Sequence, residues 1–120
     1  MRPAVAMPDW FKLHIINALP NNNIPLWFHC ASGNKDFGYH ILKAGDDFHF
    51  EFGMNALRNT LYFSHFWWGN KQNVFDVFNK HLIRHCSNTK TRYCYWKVQI
   101  DGFYMGPQLD QLSLMHSWDN

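Results

Sequence analysis

The chain has 120 residues, of which 47% are hydrophobic and 18% are aromatic, and its formal net charge is +2. This length corresponds to one domain with enough apolar surface to bury a complete core. The small charge excludes the strongly basic surface of proteins that wrap nucleic acid, and no apolar run reaches the roughly 18–20 residues needed to cross a bilayer.

The first ten residues, "MRPAVAMPDW", contain two prolines and are too short for the apolar region of a secretory signal. Three alternatives stay open: the chain is written in its mature form, its targeting segment is missing, or it has none. We expect residues 1–10 to form a flexible segment, residues 11–107 to form the domain, and residues 108–120 to form a C-terminal tail.

From residue 12 onward, alternating apolar and polar residues predict short β-strands. The alternating runs are "KLHIINAL" (12–19), "LWFHC" (26–30), "FHFEF" (48–52) and "CYWKVQI" (94–100). Stretches rich in Gly, Asn, Asp and Pro separate the runs. The pattern predicts an all-β fold, an antiparallel sandwich of about seven to eight short strands. The apolar spacing in "DVFNKHLIRHC" (76–86) predicts one short helical turn near residues 77–84.

The segment "NTLYFSHFWW" (59–68) is apolar on both faces of a predicted strand, and the small hydroxyl of Ser64 lies at its centre. Alternation gives one face to Leu61, Phe63 and Trp67, and the other to Tyr62, Phe66 and Trp68. A strand of this kind is covered on both faces, or lies centrally with one face in the core and the other under a loop or partner.

Three cysteines, Cys30, Cys86 and Cys94, are too few for a disulfide scaffold or a four-ligand zinc site. They allow one disulfide and leave one thiol. Cys86 and Cys94 flank the polar stretch "SNTKTRY", which is typical of a hairpin connection, so they are the pair most easily joined. Cys30 is then the free thiol, although the sequence alone leaves the pairing open.

Eight histidines are many for this length and raise the question of metal binding or catalysis. His81 and His85 stand four residues apart, which suits metal coordination on a helix, but the glutamate of a zinc-protease motif and a third ligand are missing. Cys30 could serve as a nucleophile with His29 or His65, but adjacent strand residues point to opposite faces, so His29 cannot easily activate Cys30. We therefore expect no catalytic residue, no metal and no cofactor, and we interpret the histidines as polar positions of strands and loops.

The order of these segments resembles the plant self-incompatibility S1 family, the S-protein homologues. The most specific pieces are "HCAS" (29–32), the aromatic segment over 60–68, and the pattern Cys-x-Trp-x-Val-x-x-Asp-Gly over 94–102. The resemblance extends from about residue 13 to residue 104. It depends on the order and spacing of the pieces together rather than on any one of them.

The resemblance also bears on the cysteines. The family pattern has four cysteines, of which Cys30, Cys86 and Cys94 match three. The fourth belongs in the aromatic strand, at the position where this chain has Ser64. One family disulfide therefore cannot form, and which cysteine is left unpaired stays open.

The resemblance implies a secreted, non-enzymatic protein that acts as an extracellular recognition ligand, in pollen–pistil self-incompatibility or a related form of cell–cell signalling. We expect a cell-surface receptor protein as its partner, no nucleic acid, no membrane insertion and a monomeric state. The alternatives are a small histidine-based, metal-dependent hydrolase and a degenerate paralogue without export.

Loops are the expected binding region, because a β-sandwich tolerates loop variation at little cost in stability. The loops with the most charge and amide groups span residues 31–37, 43–47 and 87–92, although loops are also charged simply because they are solvated. The candidate partner-binding residues are Asn34, Lys35, Asp36, Asp46, Asp47, Asn88, Lys90 and Arg92.

Overall fold

A computed structural model describes residues 9–55, 57, 59–86 and 92–120 of the chain. Within these residues the chain forms nine strands and one helical turn. In chain order these are β1 (Asp9–Asn17), β2 (Leu26–Ala31), β3 (Asp36–Leu42), β4 (Asp47–Met54), β5 (Tyr62–Trp68), β6 (Lys71–Phe78), α1 (Ile83–Cys86), β7 (Tyr93–Gln99), β8 (Gly102–Gly106) and β9 (Ser113–His116).

The strands form two sheets. The five-stranded sheet has the order β4-β1-β7-β8-β9, and the four-stranded sheet has the order β3-β2-β5-β6. Among the strand pairs of the described residues, β1 and β7 alone run parallel, and the others run antiparallel. The predicted all-β sandwich is therefore confirmed, with nine strands where the alternation predicted seven or eight.

The short helical turn predicted near residues 77–84 is present but lies later, over Ile83–Cys86, so only Ile83 and Arg84 fall within the predicted bounds. Val77 and Phe78 continue β6, because both are fully buried and Phe78 pairs with Tyr62 of the neighbouring strand. After β6, the side-chain Oδ1 of Asn79 accepts hydrogen bonds from the backbone N–H groups of His81 and Leu82, as a residue that starts a helical turn does. Among the described residues, no helix is long and apolar enough to cross a membrane.

The core lies between the two sheets and is built from the alternating residues of the sequence. The largest fully buried side chain is Trp96 of β7. Its ring packs 5.1 Å from the ring of Phe75 on β6, centroid to centroid, and its Nε1–H donates to the carbonyl oxygen of Val77 at 2.8 Å. Trp96 therefore joins the two sheets both by packing and by a buried hydrogen bond.

The two ends of the domain differ from the predicted bounds. Residues 113–116 form β9 against β8, and Trp118 donates from Nε1 to the carbonyl oxygen of Gln99 at 2.9 Å. The predicted tail over residues 108–120 is therefore corrected: the alternation in "SLMHSW" is too short to be recognised locally, and β8 supplies the pairing. At the other end β1 begins at Asp9, and residues 1–8 lie outside the described residues.

His116 of β9 makes the stability of this region depend on pH. Its ring stacks on Phe75 with 4.1 Å between centroids, and burial lowers the pKa of His116 below its usual value near 6.5. The folded protein therefore binds fewer protons at this site than the unfolded chain does. The resulting stability is present above about pH 6.5 and is lost as the pH falls through that value toward the folded pKa.

We expect the free energy of unfolding, measured with urea, to fall more between pH 7 and pH 5 in the parent protein than in the His116→Phe variant. Phenylalanine keeps a ring against Phe75 but cannot be protonated. An equal fall in both proteins would contradict the assignment to His116.

Candidate functional site

The face of the four-stranded sheet that points away from the core carries mostly aromatic and apolar side chains. Alternation along each strand puts these residues outward, because their neighbours are buried in the core. We call this surface the aromatic face; its members are Trp27, His29, Tyr39, Ile41, Phe63, His65, Trp67 and Val74.

The strand register sets these side chains beside one another. Trp27 opposes both Ile41 of β3 and Trp67 of β5, and in the next row His29 opposes both Tyr39 and His65. Tyr39 is 67% exposed and Ile41 is 53% exposed, and Trp27 and Val74 are also exposed. Large apolar side chains thus lie next to each other at the protein surface, on the adjacent strands β3, β2 and β5 and, through Val74, on the edge strand β6.

Hydrogen bonds and stacking hold the imidazole rings of the aromatic face in place. The ring of His29 stacks on Tyr39 with 4.6 Å between centroids, and its Nε2 lies 2.6 Å from Oδ1 of Asp36. The ring of His65 stacks on Trp67 at 3.9 Å, and its Nε2 lies 2.9 Å from Oε1 of Gln72. The surface is therefore rigid in its centre, where each imidazole has both a ring partner and a polar partner.

The aromatic segment over 59–68 accounts for this surface. It contains β5, which lies between β2 and β6 in the sheet. Tyr62, Ser64 and Phe66 face the core, whereas the residues between them belong to the aromatic face. The sequence thus indicated a strand that is apolar on both sides, and the structure shows that its second side reaches the solvent-facing surface.

A cleft of about 880 Å³ is lined by loop 31–37, by the second half of β4 and by residues 59–62. Its floor contains the rings of Phe37, Phe50 and Tyr62, with centroids 4.4 to 6.1 Å apart. Its rim includes Lys35 and Glu51. An apolar floor with a charged rim suits one large side chain of a partner, fixed by polar contacts at the mouth.

Asp36 connects loop 31–37 to the aromatic face. The backbone N–H of Gly38 donates to Oδ1 of Asp36 at 2.8 Å, and His29 contacts the same oxygen. These two interactions hold the pKa of the Asp36 carboxyl below its usual range. Of the predicted partner-binding residues, Asn34 and Lys35 lie in the same loop and line the cleft.

The other predicted partner-binding residues lie elsewhere. Asp47 follows Asp46 and lies near the end of β1, where Ile16 is its register partner. Arg92 lies near the beginning of β1, since its carbonyl oxygen accepts a hydrogen bond from the N–H of Lys12. The structure therefore does not bring loop 43–47 and Arg92 together, and Asn88 and Lys90 lie outside the described residues.

The sequence pattern described as plant self-incompatibility protein S1 matches residues 12–118, almost all of the described domain. The chain belongs to this S1 family. Two S1-family proteins of Arabidopsis thaliana illustrate the likeness. S-protein homolog 2 is 30% identical over 106 residues, which are 87% of this chain and 66% of that protein. S-protein homolog 24 is 38% identical over 87 residues, which are 70% of this chain and 54% of that protein.

The chain spans about half to two thirds of the length of these S1-family relatives. It also resembles a solved structure of SPH (Self-Incompatibility Protein Homologue) proteins, described as a widespread family of small, highly stable, secreted proteins from plants. The TM-score is 0.68 at 17% identity, over 94% of this chain and 97% of that one. At this identity the likeness establishes a common fold, and the resemblance to the S1 family found in the sequence is confirmed.

In this S1-family chain the structure joins Cys86 and Cys94 in a disulfide and leaves Cys30 as a buried free thiol. Cys30 lies directly opposite Ser64 in the register of β2 and β5. Burial, with a smaller contribution from the charge of Asp36, raises the pKa of the Cys30 thiol to about 12. A thiol of this kind is a poor nucleophile at neutral pH, and His29 lies on the opposite side of the strand.

His81 and His85, the histidine pair suggested by the sequence, are not joined by a third metal ligand within the part of the chain that the structure describes. His81 is exposed, and His85 accepts a long hydrogen bond of 3.5 Å from Nε of Arg84. A different group meets the geometric requirement for a metal: His14, Asp47 and His49. Sequence reasoning missed this group because its members come from two strands, and only the register between those strands brings them together.

Proposed function

We propose that this chain is a secreted recognition protein, an extracellular ligand for a cell-surface receptor protein, with no catalytic role of its own. Pollen–pistil self-incompatibility or a related form of cell–cell signalling is the proposed setting. The observation that carries the proposal is the aromatic face, a rigid surface of adjacent apolar side chains that the fold does not need for its core.

The composition of the aromatic face favours a protein partner. Contiguous exposed apolar patches mark interaction sites, and Trp and Tyr are enriched at the centres of protein interfaces. Among the outward side chains of β2, β3 and β5, Trp27, Tyr39 and Trp67 are of this type. Because Tyr39 already stacks on His29 and Trp67 on His65, binding costs little entropy in these side chains.

Loop 31–37 supplies the polar border that such an interface needs. A stable interface covers about 800 Å² on each partner, which is more than a few ring faces provide. Asn34 and Lys35 are exposed and precede Asp36, which is bonded to His29 of the aromatic face. The predicted loop and the aromatic face thus form one continuous surface with an apolar centre and a polar edge.

Two observations support an extracellular location. Disulfides persist in oxidising compartments, and the chain carries one between Cys86 and Cys94. The solved SPH structure is described as belonging to secreted plant proteins. A binding role rather than catalysis is supported by the buried, high-pKa thiol of Cys30, which removes the one nucleophile considered from the sequence.

The matched pair Ile41→Asp and Ile100→Asp tests the proposed surface. Ile41 belongs to the aromatic face, and Ile100 directly follows β7 of the other sheet; the two are 53% and 57% exposed. We expect labelled parent protein to bind intact plant protoplasts saturably and to be displaced by unlabelled protein. Ile41→Asp should weaken this binding at least about tenfold, which corresponds to about 1.4 kcal/mol, whereas Ile100→Asp should leave it unchanged.

Two results would contradict the proposal. Equal binding by both variants, with thermal unfolding showing that both are folded, would exclude the aromatic face. Binding that survives removal of surface proteins from the protoplasts by trypsin would exclude a receptor protein as the partner.

A further inference from the structure

Two histidines and one aspartate converge on the outer face of the five-stranded sheet. β1 and β4 are antiparallel neighbours, and their register sets His14 directly opposite His49 and Ile16 opposite Asp47. His14, His49 and Asp47 all point away from the core, since the residues between them in each strand point inward. The three side chains therefore meet across two adjacent strands.

The ligand atoms of the three side chains are close enough to share one ion. Nδ1 of His14 lies 2.7 Å from Oδ2 of Asp47, and Nδ1 of His49 lies 3.8 Å from Oδ1 of the same carboxylate. All three residues offer a ligand atom within 4.8 Å of the others. Two ligands that each lie about 2.0–2.1 Å from a tetrahedral zinc ion are about 3.3 Å from one another. The observed N···O distances of 2.7 and 3.8 Å lie on either side of this value.

Burial and packing fix one ligand and leave the others accessible. His14 is 8% exposed, and its ring stacks on Tyr95 of β7 with 4.6 Å between centroids. The side chains of Asp47 and His49 are 37% and 51% exposed. An ion held here would thus have one rigid ligand on the inner side and an open position toward water on the outer side.

We propose that His14, Asp47 and His49 form a binding site for one Zn²⁺ ion. Two imidazole nitrogens and one carboxylate oxygen suit zinc, whereas Ca²⁺ and Mg²⁺ prefer sites made of oxygen alone. Three protein ligands with a free fourth position make an exchangeable site rather than a closed structural one. Cu²⁺ accepts the same donors and binds nitrogen sites more tightly, so it should displace Zn²⁺.

The site has a consequence for the fold that is independent of the proposed receptor. β4 is an edge strand of its sheet, and Asp47 is both its first residue and the last residue of loop 43–47. A bound ion would fasten the beginning of this edge strand to β1. It would also fix the last residue of a loop that the sequence marked as charged.

Calorimetric titration of the full, untagged chain with Zn²⁺ tests the proposal. We expect one ion per chain, with affinity lowered at least about tenfold by either His49→Ala or Asp47→Asn, because even outer-shell substitutions at metal sites cost ten- to a hundredfold. His81→Ala is the matched control: it removes another exposed histidine and should leave the affinity unchanged.

NMR spectra of the imidazole nitrogens provide a second measurement on the parent protein, where no variant has to fold. Zn²⁺ should shift the signals of His14 and His49 and leave those of His29 and His65 in place. The proposal is overturned by an absence of binding, by binding that His49→Ala does not weaken, or by zinc-dependent shifts at other histidines, including His81 and His85.

Discussion

Replacing Ser64 with cysteine is expected to raise the free energy of unfolding by about 3 kcal/mol under oxidising conditions. Ser64 opposes Cys30 across β2 and β5, and both side chains are fully buried. A disulfide between these positions would close a long loop, which is worth about 4 kcal/mol in the chain-entropy account. The variant loses the hydrogen bond from Oγ of Ser64 to the carbonyl oxygen of His29, which is worth about 1 kcal/mol.

Urea unfolding of the variant and of the parent protein measures this gain, and peptide mass spectrometry without reduction identifies the bond. Ser64→Ala is the control, since it removes the same hydroxyl without supplying a thiol and should be slightly less stable than the parent. In the cysteine variant the thiol of Cys30 should no longer be alkylated after unfolding. Two free thiols, or a bond from Cys30 to Cys86 or Cys94, would contradict the expected pairing.

Replacing Trp96 with alanine is expected to lower the free energy of unfolding by about 5 kcal/mol. Removing a fully buried aromatic side chain costs about 3–5 kcal/mol through lost burial and the cavity that remains. The carbonyl oxygen of Val77 also loses the indole N–H that donates to it at 2.8 Å. A loss of this size is a third or more of the stability of a typical domain.

Two further substitutions separate these contributions. Trp96→Phe keeps a ring in the core and removes the donor, so it should cost about 1–3 kcal/mol. Trp10→Ala removes the same side chain from a position that is 56% exposed, and it should change the stability by no more than about 0.5 kcal/mol. Similar losses for Trp96→Ala and Trp10→Ala would show that Trp96 does not join the sheets in the way the structure indicates.

The local pattern of the sequence was enough to predict the class of fold. The alternation in "FHFEF" and "CYWKVQI" marks β4 and β7, because side chains of a strand with one buried face repeat every two residues. The short strand β9 was not predicted, because a run of four residues is too short to show a clear alternation. The parallel pairing of β1 with β7 could not be predicted, because the register between distant segments is not encoded in either segment alone.

The candidate surfaces were predicted less completely, for the same reason. The segment around Ser64 was recognised as apolar on both sides, but its outer partners Trp27 and Tyr39 come from neighbouring strands. The loops were selected for their charge, and charge does not tell which loops lie together: Asp47 and Arg92 turn out to lie near opposite ends of β1. Sets of residues that meet only across strands cannot be predicted until the register between those strands is known.

The parallel pairing of β1 with β7 also means that β1 cannot be fully paired until β7 has been synthesised. Residues 9–17 are synthesised well before residues 93–99, the segment that covers their second edge. β1 can join β4 beforehand, but its other row of N–H and C=O groups stays unpaired until residues 93–99 have been synthesised. Nascent or prematurely terminated chains that stop before residue 93 therefore carry an open strand edge, which is a template for association with other chains.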